Sequence, residues 1–374
     1  MLRRKLFINQ ESGYLMIEII NEHVLAGYDC VLITGKLIPR NTPLHPSVQV
    51  DRIVPYNNTS RFKRILTWCV GSIQIFHKIV LYYRKEELFI VSNPPLAPLI
   101  PYLVKNPFSL FILDIFPDAL VSKNIIRECS VINKLWKALN KKIYSKASNI
   151  YTLTETMGEV LQQYCKVKQP KVVSVWTDSA LLKPITKDEN AFIVRYGLQG
   201  KFIVMYSGNL GYTHNVEVLP EIAVRILNPD ILFLIIGEGS SKIELLKRIK
   251  AFNLTNCLLL PWQPTSELPN SLAAADLAIV SSAGKASNHS IPSKTFNLMS
   301  VGAPLLCLSP IDSELDRLVK KHNNGKCFEH DKIEYIIDFI NLVFSNFQYR
   351  KTLSDNSLKA SLDYSPENAK LFLV

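Results

Sequence analysis

Residues 202–211 read FIVMYSGNLG, and this stretch decides the fold. The five apolar residues 202–206 have the length and composition of a buried strand, and two glycines follow within the next five positions. In a parallel α/β sheet, ligands bind beyond the carboxyl ends of the strands, where glycine lets the backbone approach them closely. The stretch therefore predicts a parallel α/β domain with a binding loop at residues 207–211.

The pattern of strand, turn and helix continues after this loop. Further strands are predicted at 232–236, 257–260, 277–280 and 305–308. The first three are followed by Gly237-Glu238-Gly239, Pro261-Trp262-Gln263 and Ser281-Ser282-Ala283-Gly284. Residues 291–295 then open a helix, where Lys294 lies at the positive end of the helix dipole and is unfavourable without an anion. These loops predict a nucleotide or sugar phosphate site on this half.

The first half of the chain has the same alternation. Apolar runs of strand length occur at 5–9, 30–34, 88–92, 109–114, 149–153 and 172–175, with helical periodicity between them. Residues 178–200 contain Pro184 and the polar stretch 186–190, and are predicted to be a linker. The sequence therefore predicts an α/β protein with two Rossmann-like domains facing a central cleft.

The charge is unevenly divided along the 374 residues, whose formal net charge is +11. Residues 1–187 carry 25 basic and 13 acidic side chains, a net charge of +12, whereas residues 188–374 carry 18 and 19. An excess confined to one half suggests an anionic partner: nucleic acid, membrane phosphates or a phosphorylated substrate. A basic surface that only faces solvent is the alternative.

Several classes of site are not indicated. The seven cysteines are scattered without a C-x-x-C pair, so we expect reduced core thiols rather than disulfides or a zinc site. Neither G-x-G-x-x-G in a dinucleotide context nor G-x-x-x-x-G-K-[ST] occurs, which disfavours dehydrogenases and P-loop enzymes. The apolar stretch at the start ends at Asn9, too early for a secretion signal, and is predicted to be a first strand.

Two segments raise the question of a membrane. Residues 88–104 are uncharged but contain four prolines, so no spanning helix is predicted there. Residues 61–85 have basic ends and a helical stripe formed by Ile65, Cys69, Ile73, Phe76, Val80 and Tyr83. Such a stripe usually packs on a core, and a helix lying on an anionic bilayer is the alternative.

The motifs, taken in order, resemble a known family. Ser207-Gly208-Asn209-Leu210-Gly211, Ile236-Gly237-Glu238-Gly239, Pro292-Ser293-Lys294 and the segment 298–304 resemble the family 4 retaining glycosyltransferases of the GT-B fold. The closest resemblance is to the bacterial O-antigen, capsule and exopolysaccharide enzymes. Ser92-Asn93-Pro94-Pro95, the segment 113–118 and Val175-Trp176-Thr177-Asp178 resemble motifs of the first domain.

The resemblance implies a metal-independent hexosyl- or N-acetylhexosaminyltransferase without a cofactor, which retains anomeric configuration. The donor would be a nucleotide diphosphate sugar, a UDP-sugar before a GDP-sugar, and the acceptor a polyprenyl-diphosphate-linked glycan. The expected domains are residues 1–182 for the acceptor and 183–350 for the donor, with 351–374 returning to the first domain. The protein would be cytoplasmic and held peripherally at the inner face of the plasma membrane, without nucleic acid as a partner.

The family's donor-binding residues can be carried over to matching positions in this chain. Ser293, Lys294 and Thr295 would contact the diphosphate, which without a metal needs charge from the lysine and from backbone amides. The same region would be lined by Ser207, Gly208, Asn209 and Gly211. The base would be surrounded by Gly237, Glu238, Gly239, Trp262 and Gln263, although interdomain packing is the alternative for Trp262. Gly13 would let a facing loop approach the phosphates.

Two departures from the family pattern stand out. Many members have two glutamates eight positions apart, and His289 and Asn297 occupy those positions here. Asn297 can still hydrogen-bond ribose hydroxyls. Where some members have a strongly basic side chain near the phosphates, this chain has Asn209, followed by His214 and Asn215.

Asp114 is the predicted catalytic residue, since it follows a first-domain strand where the family often has a His or Asp. Its carboxylate would orient the acceptor hydroxyl, while the departing phosphate oxygen takes the proton. Capping of the following turn is the alternative role, and Asp118 is the second candidate.

Other functions remain open at this stage. The chain could be a GT-B nucleotide-sugar epimerase or hydrolase, which needs no acceptor. It could also be a non-catalytic GT-B partner subunit, as the residues at 289 and 297 allow. Nucleic-acid binding is disfavoured, because no recognised aromatic and basic module is present.

Overall fold

The computed structural model describes residues 3–122, 125–165, 169–284 and 288–373. The chain forms two compact units. Unit 1 consists of Met1–Val175 and Pro366–Val374, and unit 2 consists of Trp176–Ser365. Each unit is a parallel sheet with helices, as the alternating sequence pattern predicts.

Unit 1 contains nine strands and five α-helices among its described residues. The strands are β1 Arg4–Ile8, β2 Glu11–Gly13, β3 Asp29–Thr34, β4 Lys36–Ile38, β5 Gln49–Arg52, β6 Glu87–Val91, β7 Phe108–Ile112, β8 Ile150–Thr152 and β9 Lys171–Val172. The helices are α1 Tyr14–Leu25, α2 Arg61–Tyr82, α3 Asp118–Ser122, α4 Val131–Tyr144 and α5 Glu155–Gln162. Short 3₁₀ helices span Ala97–Tyr102 and Pro366–Phe372.

The main sheet of unit 1 has seven parallel strands in the order β5-β3-β1-β6-β7-β8-β9, and β2 pairs separately with β4. One face carries α2, the 3₁₀ helix Ala97–Tyr102, α4 and α5, whose buried side chains share one core cluster. On the other face, α1 packs against the 3₁₀ helix Pro366–Phe372. Because both faces are covered, residues 30–33 of β3 form a continuous apolar run rather than an alternating one.

Unit 2 contains six strands and eight α-helices among its described residues. The strands are β10 Phe202–Ser207, β11 Ile231–Ile236, β12 Cys257–Leu260, β13 Leu277–Ser281, β14 Leu305–Leu308 and β15 Gly325–Phe328. The helices are α6 Ala191–Arg195, α7 Leu219–Ala223, α8 Lys242–Ala251, α9 Leu268–Ala273, α10 Lys294–Ser300, α11 Glu314–His322, α12 Ile333–Ser345 and α13 Phe347–Ser361. The parallel strand order is β12-β11-β10-β13-β14-β15, so β10 and its loop lie near the centre.

The boundary between the units lies at residues 175 and 176, seven residues before the predicted one. Trp176 is buried, and the Thr177 N–H donates to the carbonyl of Tyr364 at 3.1 Å. The segment 178–200, predicted to be a linker, contains α6 and the buried Asn190, whose side chain caps that helix. These residues are part of unit 2 because they pack on its helices.

The segment that returns to unit 1 is shorter than the predicted 351–374. Residues 351–361 belong to α13, which packs against α10, and unit 2 extends to Ser365. The Ser357 hydroxyl donates to the carbonyl of Ala303 at 2.8 Å, which fixes α13 there. Unit 1 takes only Pro366–Val374 from this end of the chain.

The helical stripe predicted for residues 61–85 does not face the core over its first half. Ile65, Cys69 and Ile73 are exposed, and the buried side of α2 is formed by Gly71, Ser72, Ile75 and Ile79. The small Gly71 is decisive, because a Cβ there would lie 2.7 Å from Nε2 of the buried Gln10. Cys69 and Cys129 are exposed, which corrects the expectation of core thiols at these two positions.

Phe372 anchors the end of the chain in unit 1. It is 1% exposed, and its ring centroid lies 4.6 Å from that of Tyr151 and 5.0 Å from that of Phe111. Such rings bury large apolar areas and add edge-to-face or tilted contacts.

We expect Phe372→Ala to destabilise unit 1 by about 3–5 kcal/mol, because it opens a cavity among aromatic rings. Urea unfolding followed by tryptophan fluorescence measures this change. Leu371→Ala, at the exposed neighbouring position, is the matched control and should change stability by less than about 0.5 kcal/mol. Equal effects of the two substitutions would contradict an anchoring role for Phe372.

Candidate functional site

The loops after β10 and β11 are bound to each other at the carboxyl edge of the unit 2 sheet. The Leu210 N–H donates to the carbonyl of Glu238 at 2.9 Å. A Cβ on Gly237 would lie 2.0 Å from the carbonyl oxygen of Gly208, and one on Gly239 would lie 2.4 Å from that of Leu210. Both distances are too short for any side chain, so these two glycines are required by the packing of loop on loop.

The ammonium group of Lys294 lies beside these loops. Lys294 is the first residue of α10, and its Nζ is buried without a hydrogen bond to the described residues. Nζ lies 3.6 Å from the ring centroid of Tyr206, and a Cβ on Gly208 would lie 2.9 Å from Nζ. Burial lowers the pKa of Lys294 to about 7, because the charged form loses hydration that a cation–π contact only partly replaces.

The residues on either side of Lys294 differ in exposure. Ser293 is exposed and makes no capping hydrogen bond. Thr295 is fully buried, its backbone N–H donates to the carbonyl of Pro292 at 2.9 Å, and its hydroxyl lacks a partner among the described residues. Thr295 is therefore buried and Ser293 exposed, and contact of either residue with a diphosphate stays a prediction.

A second buried polar group involves two histidines. The Nδ1 of His214 lies 2.9 Å from the carbonyl oxygen of Ser281, and the Nε2 of His330 lies 2.9 Å from the hydroxyl of Ser281. Burial lowers the pKa of both histidines, and the charge of Lys294 lowers that of His214 further. Both imidazoles are thus neutral at pH 7, and the Nδ1–H of His214 donates to the carbonyl.

The remaining residues of the β10 loop are accessible. Ser207 and Gly208 are half-buried, and Asn209 is exposed. The Tyr206 hydroxyl donates to the carbonyl of Asn209 at 2.7 Å, which fixes this turn from below. The Asn209 amide nitrogen would lie 3.4 Å from a Cβ on Gly211, so the loop folds back closely on itself.

The predicted base-binding residues lie on the loops after β11 and β12. Glu238 is half-buried and pairs with Lys242 at 2.6 Å. Trp262 is 52% exposed, and the Tyr196 hydroxyl donates to Gln263 Oε1 at 3.3 Å. Since β11 neighbours β12 in the sheet, these side chains share one edge of unit 2 with the β10 loop.

Asn297 is engaged within the protein. The Thr177 hydroxyl donates to Asn297 Oδ1 at 2.6 Å, so this amide connects α10 to the first residues of unit 2. His289 is exposed and lies outside α10. At the two positions where many family members have glutamates, this chain therefore has an exposed histidine and a hydrogen-bonded asparagine, neither of which carries a negative charge.

In unit 1, Asp114 is exposed just beyond the end of β7. The Ser92 hydroxyl accepts hydrogen bonds from the N–H groups of Leu113 and Asp114, at 2.9 and 3.2 Å. The Asp114 carboxylate itself makes no hydrogen bond or ion pair with the part of the chain that the structure describes. Its backbone is fixed and its carboxylate is available, as a group that contacts a substrate requires.

The second candidate, Asp118, has structural partners. The Tyr164 hydroxyl donates to its Oδ2 at 2.5 Å, and Lys137 Nζ lies 2.7 Å from its Oδ1. The amide of Asn140 donates to the carbonyl of Phe116 at 2.6 Å. These bonds hold the turn after Asp114 on α4 and on Tyr164, which follows α5, so Asp118 has the turn-fixing role.

Gly13 is the other predicted site residue of unit 1. It ends β2, pairs with Ile38 of β4, and precedes α1. A Cβ on Gly13 would meet no atom within 4 Å, so packing does not require a glycine here. An open position before a helix is compatible with the close approach of a ligand.

Sequence reasoning missed three features of the site. These are the contact of Tyr206 with Lys294, the hydrogen bonds that Ser92 accepts, and the contacts of Ser281 with two histidines. Tyr206 reads as one more apolar residue of a buried strand, although a tyrosine at the last buried position before a glycine loop was a usable signal. The histidine and serine contacts join residues 49 to 67 positions apart, which no local pattern reveals.

We expect Lys294→Met to stabilise the unliganded protein, because methionine fills the space without a buried unpaired charge. The pKa of Lys294 is lowered on folding, so the unfolded chain binds more protons between about pH 7 and about pH 10. The penalty from the lysine is therefore full below about pH 7 and relieved as the pH rises through this window.

Urea unfolding of both proteins at about pH 6.5 and about pH 9.5 tests this expectation. The stability advantage of Lys294→Met should be larger at the lower pH. Lys242→Met, at a partly exposed lysine, is the control and should show little pH dependence. A pH-independent difference for Lys294→Met would contradict an unpaired ammonium at this position.

Comparisons with known proteins agree with the resemblance seen in the sequence. Residues 187–360 match the family described as "Glycosyl transferases group 1". The chain is 25% identical over 345 residues to "Probable glycosyltransferase WbjE" of Pseudomonas aeruginosa, covering 87% of this chain and 84% of that protein. It is 29% identical over 211 residues to "Putative colanic acid biosynthesis glycosyl transferase WcaI" of Escherichia coli, covering 55% and 52%.

Solved structures extend the likeness to the whole chain. Anabaena Alr3699/HepE in complex with UDP superposes with a TM-score of 0.74 at 15% identity, covering 99% of this chain and 98% of that one. WaaG, described as a glycosyltransferase involved in lipopolysaccharide biosynthesis, gives 0.71 at 12% identity, with 98% of both chains covered. The predicted GT-B fold is confirmed, and residues 187–360 are similar to the glycosyltransferase group 1 family.

Proposed function

We propose that the protein transfers a sugar from a nucleoside diphosphate sugar, bound by unit 2, to an acceptor recognised by unit 1. The observation that carries the proposal is the buried Nζ of Lys294, which lacks a hydrogen-bond partner among the described residues and lies beside the glycine loop after β10. A diphosphate is an anion of suitable charge for this position. The solved complexes of Alr3699/HepE with UDP and with UDP-glucose support a UDP-sugar as the donor.

The chemistry we propose is retaining and independent of a metal, with a hexose or N-acetylhexosamine as the transferred group. Charge builds up on the leaving diphosphate as the glycosidic bond breaks, and the Lys294 ammonium stabilises it. Ser293, which is exposed directly before α10, would contribute a hydrogen bond from its hydroxyl. Leaving-group stabilisation thus comes from the chain itself.

Asp114 acts on the acceptor in this proposal. Its carboxylate accepts a hydrogen bond from the attacking hydroxyl and orients it, while the leaving phosphate oxygen takes the proton. Ser92 holds the backbone of Asp114, so the orientation does not depend on a flexible loop. The acceptor would be a polyprenyl-diphosphate-linked glycan in surface polysaccharide synthesis, such as O-antigen or capsule, at the cytoplasmic face of the membrane.

Binding of UDP at about pH 8 should be accompanied by the uptake of about one proton, because Lys294 is mostly neutral before the diphosphate arrives and charged afterwards. Isothermal titration calorimetry in buffers of different ionisation enthalpy measures this number. We expect Lys294→Met to weaken binding by about 100-fold or more and to abolish proton uptake.

Lys242→Met is the control for this titration and should bind UDP with nearly wild-type affinity, since its ion pair is partly exposed. A panel with UDP, GDP and ADP identifies the base. Wild-type protein that binds none of these nucleotides would contradict the proposal and favour a non-catalytic partner subunit.

We expect Asp114→Asn to reduce turnover by about 100-fold or more while leaving UDP affinity unchanged, because the carboxylate contacts only the acceptor. Transfer from radiolabelled UDP-sugars to polyprenyl-diphosphate-linked acceptors, in the presence of EDTA, measures turnover. Asp118→Asn is the contrasting variant, and it should lower thermal stability through the loss of its Lys137 and Tyr164 contacts. Full activity of Asp114→Asn would remove this residue from the mechanism.

A further inference from the structure

Two helices of unit 1 expose apolar side chains on their outward faces. On α2 these are Phe62, Ile65, Leu66 and Ile73, and on α4 they are Val131, Ile132 and Leu135. Phe62 is 75% exposed and Val131 is 79% exposed. Tyr102 and Leu103, at the end of the 3₁₀ helix between them, are exposed as well. We call this set of nine side chains the α2–α4 surface.

The two helices present these side chains on one side of unit 1. Both pack on the same face of the sheet, and both contact the 3₁₀ helix Ala97–Tyr102. Trp68 of α2 lies 6.5 Å from Phe116 between ring centroids, and Trp136 of α4 stacks on the same ring at 6.3 Å. Both tryptophans lie within the first eight residues of their helices, so the exposed first turns flank Phe116.

The charge of these helices is of one sign only. Neither α2 nor α4 contains an Asp or a Glu, whereas each of the other described α-helices of eight or more residues contains at least one. Five basic side chains are exposed on them: Arg61, Lys63, Lys134, Lys141 and Lys142. Basic residues in a first helical turn oppose the helix dipole, so α2 has a charge pattern that an anionic surface would compensate.

We propose that the α2–α4 surface docks on an anionic phospholipid bilayer, with its apolar side chains in the interfacial region and its lysines and arginines at the headgroups. A protein partner of mixed charge would not require two helices free of acids, whereas a phosphate surface does. Docking would bring the protein to the lipid-linked acceptor proposed above. Only this biological role rests on the proposed function, because the physical argument for docking does not use it.

The structure favours α2 as an interfacial helix rather than a spanning one. By length and composition α2 could cross a membrane. Its opposite side is nevertheless fixed to unit 1, because the side-chain Oε1 of Gln74 accepts from the Val54 N–H at 2.7 Å and Lys78 pairs with Asp51. A helix held along one side by a sheet exposes only the other side to lipid.

The α2–α4 surface lies next to the turn that contains Asp114, the residue predicted to orient the acceptor. Phe116, which lies between Trp68 and Trp136, is two residues from Asp114 in the same turn. Docking through the first turns of α2 and α4 would therefore bring Asp114 close to the headgroups. A lipid-linked diphosphate acceptor has its reacting sugar at this depth.

Co-sedimentation with vesicles tests the docking surface. The wild-type protein should bind vesicles of equimolar phosphatidylcholine and phosphatidylglycerol at least about tenfold more tightly than vesicles of phosphatidylcholine alone. Phe62→Ser/Leu66→Ser/Ile132→Ser should weaken this binding by about tenfold or more, since apolar insertion is lost. Lys63→Gln/Lys134→Gln/Lys141→Gln should weaken it by at least as much and remove the preference for anionic lipid.

The matched control replaces exposed apolar residues of unit 2, as Leu227→Ser/Ile243→Ser/Leu246→Ser, and should leave vesicle binding unchanged. Wild-type binding that does not depend on phosphatidylglycerol, or that survives both sets of substitutions, would overturn the proposal. So would self-association that only the apolar substitutions abolish, without vesicle binding.

UDP titration of the same preparations separates this proposal from the proposed function. Vesicle binding by a wild-type protein that does not bind UDP supports docking and contradicts the donor assignment. UDP binding without vesicle binding contradicts docking alone. The thermal unfolding midpoint of each variant should match the wild type, because all substituted side chains are exposed.

Discussion

The buried ammonium of Lys294 is the interaction on which the candidate site depends. In the described part of the chain it has the ring of Tyr206 on one side and no hydrogen-bond partner. A cation in this position is tolerated because its pKa falls to about 7, which lets the side chain lose its proton when no anion is present. In the proposed function, protonation and anion binding would thereby be linked, and the site would gain its full charge when a diphosphate enters.

The glycines around this lysine have different physical roles, although the sequence shows them as one kind of motif. Gly237 and Gly239 are required because carbonyl groups of the β10 loop lie against them. Gly208 instead faces the lysine, where a side chain would occupy the space between Nζ and the loop surface. Substitution at the first two positions would separate the loops, whereas a side chain at Gly208 would displace Nζ of Lys294.

The sequence predicted the positions of most strands along the chain and of Lys294 at the start of a helix, because both follow from local patterns. Strand periodicity and turn residues are local, and a lysine at the start of a helix conflicts with the dipole wherever the helix lies. Asn297 shows the limit of this reasoning, since its partner Thr177 is 120 residues away. Thr295 shows another limit. It follows Lys294 and the exposed Ser293 in the sequence, yet its side chain is fully buried.

Helix α2 shows why periodicity alone does not identify a core face. The spacing of its apolar residues predicts which side chains lie on the same face of the helix. Because α2 has apolar residues on both faces, this spacing does not predict which face is buried. What decides between them is the fit of Gly71 and Ser72 against the sheet, because small residues allow the helix to approach Gln10. The larger side chains then remain outside, next to lysines and arginines.

This arrangement also explains the distribution of charge between the two halves of the chain. A solvent-exposed helix normally contains both acidic and basic side chains, because oppositely charged side chains three or four positions apart stabilise it. The proposed docking would account for the absence of acids from α2 and α4 together with their apolar outward residues. A phospholipid interface is both negatively charged and partly apolar, so contact with it would favour both features at once.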